Sequence, residues 1–244
     1  MLKVEHTEVL GWEHAIRGMR NPLNSWDKSD SYVCGADCCE CKHVENGTEM
    51  VTCHDGKDGY CIGENDYDLM KRLVKAGTDH SKFMRMITVY CDITSSLYFF
   101  KEFDTYKVGS VANSCSTMHK IHAKEFTLDD FSCEHLLDDE FILSDIKDVS
   151  GEYTVFEEPL EHLKYTIEML NACRYYYNVT KHKTWWYQMI QLLPSSYNQK
   201  RTVQLNYAVL RAMYHARVTH KLDEWHTFCE WIESLPYSEL ITME

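Results

Sequence analysis

The chain has 244 residues, of which 44% are hydrophobic, so it can bury a sizeable core and is not a disordered protein. Its formal net charge of −13 excludes non-specific binding to nucleic acid, which needs clustered cations against phosphate. A local basic pocket for one phosphate remains compatible with this charge.

Nothing in the sequence indicates export or membrane insertion. The N-terminal residues lack the apolar core of a signal peptide, and no run reaches the roughly 18 apolar residues of a membrane span. The 11 cysteines are odd in number and spread along the chain. We therefore expect a cytoplasmic protein with reduced thiols and no membrane partner.

Residues 1–20 predict a short strand followed by a helix, because Trp12, Ile16 and Met19 recur at helical spacing. Arg17 and Arg20 lie three residues apart and would share one face of this helix. Asn21-Pro22 ends the pattern.

Residues 32–63 form a cysteine-rich insert with irregular spacing. Short Cys/His pairs are typical of structural zinc sites. The first cysteines fit that rule, which makes four residues candidate zinc ligands: Cys34, Cys38, Cys41 and Cys53. The alternative is a loop whose cysteines are simply reduced.

The middle of the chain predicts a helix over 64–77, a strand over 86–93 and an aromatic helix over 95–107. Asn65 or Asp66 can cap the first of these helices, and Gly77 can end it. The acidic residues 125–158 predict mostly solvated loop.

The C-terminal half is rich in helices. The pattern predicts helices over 158–178, 184–194, 207–219 and 222–234, with a short strand over 200–207. No internal repeat interrupts this order, and the length allows one large domain or two small ones.

Between Lys101 and His119 lies a polar stretch with Ser110, Ser114 and Ser116 grouped around Gly109. Small hydroxyl residues beside a glycine suit a backbone that approaches a ligand closely. Their hydroxyl and backbone N–H groups can cradle a phosphate.

The order of elements from a helix ending in Lys-Ala-Gly to this serine-rich turn resembles the flavin-dependent thymidylate synthases. Their signature is R-H-R-x-x-S-x-N-E-x-S-x-R-Y. The run from Lys101 to Lys107 corresponds to its start, and Ser110 falls in register with its first serine. Thr105 and Tyr106 occupy the first two positions of R-H-R, where only Lys107 keeps a charge.

The rest of the signature departs further. Ser110-Val-Ala-Asn113-Ser-Cys-Ser116 is one residue longer than the family's S-x-N-E-x-S, with Ser114 nearest to the glutamate. Met118 and His119 stand at the final Arg-Tyr pair. In the C-terminal third the resemblance rests on four further features: Leu193-Pro194, Asn206, Arg217 and Glu224-Trp225.

The resemblance implies that residues 1–244 form a single α/β (α+β) domain that carries the insert, with a central antiparallel sheet flanked by helices. It further implies a homotetramer that binds FAD between subunits. It also implies transfer of a one-carbon unit from methylenetetrahydrofolate to dUMP, with NADPH as reductant. Ser110 and Arg217 would be catalytic. The implied nucleotide-binding residues are Arg17, Arg20, Lys107 and Ser116, and the implied flavin-binding residues are His80, Lys101, Tyr106 and Asn206.

Two other functions stay open because the R-H-R motif is altered. One is a related enzyme that hydroxymethylates or otherwise modifies a pyrimidine nucleotide. The other is a homologue without catalysis that binds a nucleotide or a protein partner.

Overall fold

The computed structural model describes residues 1–33, 60–138, 141–147, 150–151, 153–156 and 158–244. The contacts divide the chain into two compact units. The first unit contains Met1, Thr94–Phe103 and Ser114–Lys200, and the second contains Leu2–Ile93, Asp104–Asn113 and Arg201–Glu244. A single domain therefore stays a prediction.

The strands of the described chain are β1 Lys3–Leu10, β2 Tyr32–Val33, β3 Tyr60–Cys61, β4 Thr88–Ser96, β5 Val111–Ser114, β6 Phe141–Lys147, β7 Tyr153–Phe156 and β8 Asn198–Asn206. Four of them form one sheet in the order β1-β4-β8-β5. The other two pairs, β2 with β3 and β6 with β7, are antiparallel ribbons.

The α-helices of the described chain are α1 Trp12–Arg20, α2 Glu64–Lys75, α3 Leu97–Phe103, α4 Pro159–Thr180, α5 Lys183–Leu192, α6 Tyr207–Arg217, α7 Asp223–Glu233 and α8 Glu239–Thr242. With its antiparallel sheet, this α/β architecture confirms the predicted fold class and the helix-rich C-terminal half. No helix in the described ranges has the length and apolarity needed to cross a membrane.

Three predicted elements differ from the observed ones. The aromatic helix begins at Leu97 instead of Ser95, because β4 continues through Ser96. Residues 125–158 contain the β6–β7 ribbon, with Phe141 opposite Phe156. The serine-rich stretch contains the strand β5, all four residues of which are exposed.

In the first unit, the hydrophobic core lies where α4 and α5 pack together. Leu163, Ile167 and Leu170 follow one another at three- and four-residue spacing on one face of α4, and all three are buried. Met189 of α5 completes this cluster and is fully buried. The chain leaves α4 through Lys181, whose φ of 56° is left-handed, and α5 begins two residues later.

In the second unit, an aromatic cluster joins α1 to α6. The ring centroid of Trp12 lies 5.3 Å from that of Tyr207 and 5.2 Å from that of Tyr237, both in edge-to-face geometry. The Tyr207 hydroxyl, on the first residue of α6, donates to the Pro236 carbonyl. Burial and the nearby Tyr237 and Tyr67 raise the pKa of Tyr207, so it stays neutral and acts as a donor.

Arg20 and Asp66 form a buried ion pair that joins α1 to α2. The Arg20 Nε to Asp66 Oδ1 distance is 2.5 Å, and the two side chains are 4% and 0% exposed. Ser29 and Ser31 donate to the other carboxylate oxygen, each at 2.6 Å. We call this group the Asp66 clasp. It holds the turn that leads into β2.

The Asp66 clasp bears on two sequence predictions. The resemblance assigns Arg20 to a nucleotide phosphate, and in the structure its guanidinium is buried and bonded to Asp66. That assignment stays a prediction. The N-terminus of α2 is capped by Asp30, which accepts from the Asn65 and Asp66 amides at 2.9 and 3.1 Å, and not by a residue of the helix itself.

Candidate functional site

Two segments of this acidic chain contain no carboxylate side chain. Residues 105–124 hold three Lys/Arg and residues 169–222 hold eight, while the whole chain has 38 Asp and Glu. These segments supply most of the residues around two concave surfaces, one in each unit. The lining of the first-unit surface includes Lys181 and Lys183, and that of the second-unit surface includes Arg85, which lies outside these segments. With cations and no carboxylate in their linings, both surfaces favour anionic ligands.

A tight turn runs from Tyr106 to Ser110. The Ser110 hydroxyl donates to the Tyr106 carbonyl at 2.7 Å and closes the turn. Gly109 has a φ of +85°, which side-chain-bearing residues rarely adopt. Lys107 is an exposed cation that makes no ion pair with any described residue, and Val108 is 91% exposed. The turn therefore presents an unpaired charge and an apolar side chain to solvent.

Asn206 joins this turn to the N-terminus of α6. Its side-chain oxygen accepts from the Val209 amide at 3.0 Å, and its amide nitrogen donates to the Gly109 carbonyl at 3.1 Å. A Cβ on residue 109 would lie 2.9 Å from that nitrogen. The structure thus brings together Ser110, Tyr106 and Asn206, which the sequence predicts for the site. Asn206 lies more than ninety residues after the other two in the chain.

Beside the turn lies a cavity of about 430 Å³, which we call the α6 cavity. Its lining residues are Arg85, Thr105, Tyr106, Val108, Gly109, Asn206, Ala208, Val209 and Ala212. Small apolar side chains from the first turns of α6 form one wall. Such a surface fits a flat ring, because alanine leaves room and offers no competing polar group.

Arg85 lines this cavity and is not among the residues that the sequence predicts for the site. It is exposed, and its guanidinium has no hydrogen-bond or ion-pair partner among the described residues. No periodicity marks it, since it lies in a short 3₁₀ turn, Lys82–Arg85, just before β4. An arginine without a partner at the edge of an apolar cavity is suited to bind a phosphate or carboxylate.

Arg217, the last residue of α6, contacts two aromatic rings. Its guanidinium carbon lies 5.0 Å from the ring centroid of Trp225 and 5.6 Å from that of Tyr106. Its Nε donates to the Tyr106 hydroxyl at 3.0 Å. Trp225 is fully buried and contacts the Tyr106 ring edge-to-face at 6.2 Å. Tyr106 thus links Arg217 to the α6 cavity, which it also lines.

Asp104 and Arg201 fix the chain just before the turn. Arg201 Nη1 donates to Asp104 Oδ1 at 2.7 Å, and the Arg201 side chain is only 13% exposed. The Asp104 side chain is 44% exposed, so solvent screens the attraction, and the bond positions the chain more than it adds stability. The strand β8, which carries Arg201 and Asn206, therefore supports the turn at both of its ends.

The other predicted site residues lie elsewhere. In the second unit, His80 and Arg17 do not line the α6 cavity: the His80 amide donates to the Gly77 carbonyl in the turn after α2, and Arg17 lies 3.7 Å from Glu13 on α1. Lys101 and Ser116 belong to the first unit, where Ser116 accepts from the His119 amide at 2.8 Å.

The candidate zinc ligands Cys34, Cys38, Cys41 and Cys53 lie outside the described residues. Within the described ranges, no group of three or more His, Cys, Asp or Glu side chains is arranged to bind a metal ion. Burial raises the pKa of the Cys91 thiol to about 12 and that of Cys229 to about 11, with nearby carboxylates adding to both shifts. These two thiols are therefore protonated near neutral pH and unsuited to act as nucleophiles.

No protein-family model matches the sequence, and no curated protein matches it. Solved structures do match its fold. Two are of the flavin-dependent thymidylate synthase ThyX of Helicobacter pylori, both with FAD and dUMP. One is 16% identical with a TM-score of 0.60, covering 99% of this chain and 98% of that chain. The other is 15% identical with a TM-score of 0.61, covering 100% and 98%.

A third similar structure is a UMP/dUMP methylase, PolB, from Streptomyces cacaoi, bound to 5-bromo-dUMP. It is 12% identical with a TM-score of 0.54, covering 99% of this chain and 95% of that chain. At these identities the likeness establishes the fold. The resemblance to flavin-dependent thymidylate synthases that the sequence indicates is therefore confirmed for the fold.

Proposed function

We propose that this protein is a flavin-dependent enzyme that transfers a one-carbon unit from methylenetetrahydrofolate to dUMP, with FAD as cofactor and NADPH as reductant. The observation that carries the proposal is that the chain shares its fold, over nearly its full length, with enzymes solved with FAD and dUMP. An enzyme acting on UMP and dUMP has the same fold, which supports pyrimidine nucleotides as the substrate class.

The α6 cavity fits part of such a ligand. Its alanine and valine wall suits a planar ring, and Arg85 offers a charge for a phosphate. Asn206 has a second amide hydrogen beyond the one given to Gly109, so it can donate to a ring carbonyl. A cavity of about 430 Å³ is large enough for a portion of a dinucleotide.

When bound, FAD supplies the hydride chemistry, and the chain's own residues bind and polarise. Arg217 stabilises negative charge that develops on the pyrimidine ring. Tyr106 and Trp225 fix the plane of its guanidinium before the substrate arrives, so little reorganisation is needed. Lys107 and Arg85 attract the anionic groups of the ligands.

Titration with FAD, followed by flavin absorbance and fluorescence, tests the cofactor. We expect saturable binding, and we expect Arg85→Gln to weaken it about tenfold by removing one charge-assisted hydrogen bond. Arg72→Gln, on the exposed face of α2, is the matched control and should bind FAD like the parent protein. Absence of FAD binding by the parent protein would overturn the proposal.

Product analysis then defines the reaction. Incubation with FAD, NADPH, methylenetetrahydrofolate and either dUMP, UMP or dCMP should give a methylated product from dUMP. A hydroxymethylated product would instead support the related pyrimidine-modifying enzyme. Methylation of UMP alone would show that the substrate is UMP and not dUMP. Loss of methylation in Arg217→Lys, which cannot stack or donate in the same plane, would support the role given to Arg217.

A second candidate function is nucleotide binding without catalysis. It is favoured by Thr105 and Tyr106, which stand where the family signature has charged residues, and by the engagement of Tyr106 with Arg217. Rescue of a thymidine-requiring cell that lacks its own synthase would exclude this candidate. Binding of dUMP without turnover and without rescue would establish it.

A further inference from the structure

Helix α6 has two faces with different partners. Ala208, Val209 and Ala212 line the α6 cavity. With about 3.6 residues per turn, Tyr207 and Arg211 share the face on the far side of the helix from these three residues. Both Tyr207 and Arg211 hydrogen-bond to one stretch of the chain beyond α7, which we call the 236–243 segment. The same helix therefore joins the candidate site to this segment.

Arg211 binds the carbonyl groups at the end of α8, which lies within the 236–243 segment. Its Nη1 donates to the Ile241 carbonyl at 3.0 Å and also contacts the carbonyls of Leu240 and Met243. The last carbonyls of a helix have no partner inside the helix, so the guanidinium satisfies acceptors that would otherwise need water. Hydrogen bonds from a charged donor are roughly twice as strong as neutral ones. Arg211 thus holds the end of the segment against α6.

Tyr207 holds the start of the same segment. Its side chain is fully buried, and its hydroxyl donates to the Pro236 carbonyl. The two attachments therefore lie at the two ends of the 236–243 segment and begin on one face of α6. If the segment moved away alone, a buried hydroxyl and a half-buried guanidinium would lose their acceptors, which is costly. Docking of the segment and the position of α6 are therefore coupled.

The backbone of the segment is strained at Tyr237. Its φ of 52° lies in the left-handed region, which bulky side chains rarely adopt. The rings of Trp12 and Tyr67 hold Tyr237 in place, with centroids 5.2 and 5.1 Å from that of Tyr237. The Tyr67 hydroxyl also donates to Glu239 at 2.7 Å. A strained conformation persists only where its surroundings fix it, so loss of the contacts with α6 favours an undocked segment.

We infer that the 236–243 segment acts as a clamp that positions α6 for ligand binding, with Tyr207 and Arg211 as its positioning residues. Because α6 is one continuous helix, a shift of its clamped face also moves Asn206 and Ala208 in the cavity wall. A ligand in the α6 cavity then favours the docked segment, and docking favours the ligand by the same factor. The inference rests on the proposed function only for the identity of that ligand, FAD.

Hydrogen exchange of the protein without ligand tests the clamp independently of flavin. Arg211→Gln should speed exchange about tenfold both in residues 237–243 and in residues 210–216 of α6, with β4 unchanged as the reference for global stability. Arg211→Lys keeps a cationic donor and should restore much of the protection. Arg72→Gln removes an arginine–carbonyl bond of 3.4 Å within α2 and is the matched control, which should change neither region.

FAD titration then tests the coupling. In the parent protein, saturating FAD should slow exchange in residues 237–243 about tenfold, although none of these residues lines the α6 cavity. Arg211→Gln should weaken FAD binding about tenfold, because a smaller fraction of the protein has the segment docked. Tyr207→Phe removes one hydroxyl and keeps the ring in the aromatic cluster, so it should change exchange and affinity in the same direction. It also serves as the test variant if Arg211→Gln does not fold.

Faster exchange confined to residues 237–243 in the variants would overturn the inference, because the segment would then open without affecting α6. Parent-like FAD affinity in both Arg211→Gln and Tyr207→Phe would overturn it as well. If the parent protein binds no FAD, the proposed function fails, and the exchange experiment without ligand still decides the clamp. FAD binding by a protein whose α6 exchange is unaffected by these variants would support the proposed function and defeat the clamp.

Discussion

Gly109 is the residue on which the geometry of the turn depends. Its positive φ and its closeness to Asn206 both act against a side chain at this position. Asn206 can hold the turn and cap α6 at once only because no Cβ stands between its amide and the Gly109 carbonyl. One glycine therefore connects a loop to a helix more than ninety residues later in the chain.

Gly109→Ala should destabilise the protein and weaken ligand binding in the α6 cavity. The positive φ costs about 1–2 kcal/mol, and displacing the Asn206 amide costs about 1–3 kcal/mol more through its two hydrogen bonds. Gly77→Ala is the matched control, because Gly77 also has a positive φ, +103°, but a Cβ at that position would meet nothing within 4 Å. Urea unfolding measures the loss in free energy of unfolding for each variant. Equal losses in the two variants would refute the role of the Asn206 contact.

Tyr106 acts as a positioning residue for Arg217. Tyr106→Phe keeps the ring beside the guanidinium and removes only the hydroxyl that accepts from Arg217 Nε. Under the proposed function we expect turnover to fall about tenfold with little change in the free energy of unfolding. Tyr214→Phe, which removes a hydroxyl bonded to Glu233 at the far side of α6, should leave turnover unchanged. Similar turnover in both variants would contradict the positioning role.

At the scale of elements, local patterns predicted most helices because their apolar spacing is explicit. Leu163, Ile167 and Leu170 define α4 in the sequence as clearly as they do in the structure. Elements that depend on distant partners were not predictable in this way. The strand β5 is exposed at all four positions, so no alternation marks it, and only pairing in the sheet makes it a strand.

The candidate site was predictable only in part, for the same reason. Asn206, Ser110 and Tyr106 stand at positions that match the family pattern in the sequence. The structure brings them together at one turn. Arg85 carries no local signal, and the cap of α2 comes from Asp30, 35 residues before it. The absence of carboxylates from residues 105–124 and 169–222 is a signal that the overall charge of −13 conceals.

The Asp66 clasp should give the protein a specific acid sensitivity. Burial by itself would raise the pKa of Asp66, but hydrogen bonds from Ser29, Ser31 and Arg20 outweigh it and leave the pKa below its usual value. Because the pKa of Asp66 is lower in the folded state, its ionised carboxylate stabilises the protein at pH values above its unfolded-state pKa of about 3.9. This stabilisation is lost as the pH falls through the folded-state pKa.

Asp66→Asn tests this account. At pH 7 it should cost about 3–5 kcal/mol, because it leaves the Arg20 charge buried without its partner. The difference in free energy of unfolding between parent and variant should start to narrow below about pH 4, the unfolded-state pKa, and should be lost as the pH falls through the lower folded-state pKa of Asp66. Asp68→Asn, on the exposed side of α2, is the control and should show a small loss at every pH. A gap for Asp66→Asn that is independent of pH would contradict the account.

At the scale of the whole molecule, α4 carries a second apolar stripe that its own unit does not bury. Tyr165, Met169, Tyr176 and Val179 recur at spacings of three, four and seven residues and are 54%, 55%, 48% and 66% exposed. By contrast, the stripe formed by Leu163, Ile167 and Leu170 is buried. Apolar residues in such a heptad-like row are typical of helices that pack against another chain.

We expect this stripe to form an interface between copies of the chain, in accord with the predicted homo-oligomer. Tyr165→Glu/Met169→Glu would place two charges on it and should shift the protein to a smaller assembly, because burying unpaired carboxylates costs several kcal/mol. Lys164→Glu adds a negative charge on the same turn of α4 outside the stripe and should leave the assembly intact. Sedimentation velocity with circular dichroism separates dissociation from unfolding. A folded double variant with the parent's sedimentation coefficient would exclude the stripe as the interface.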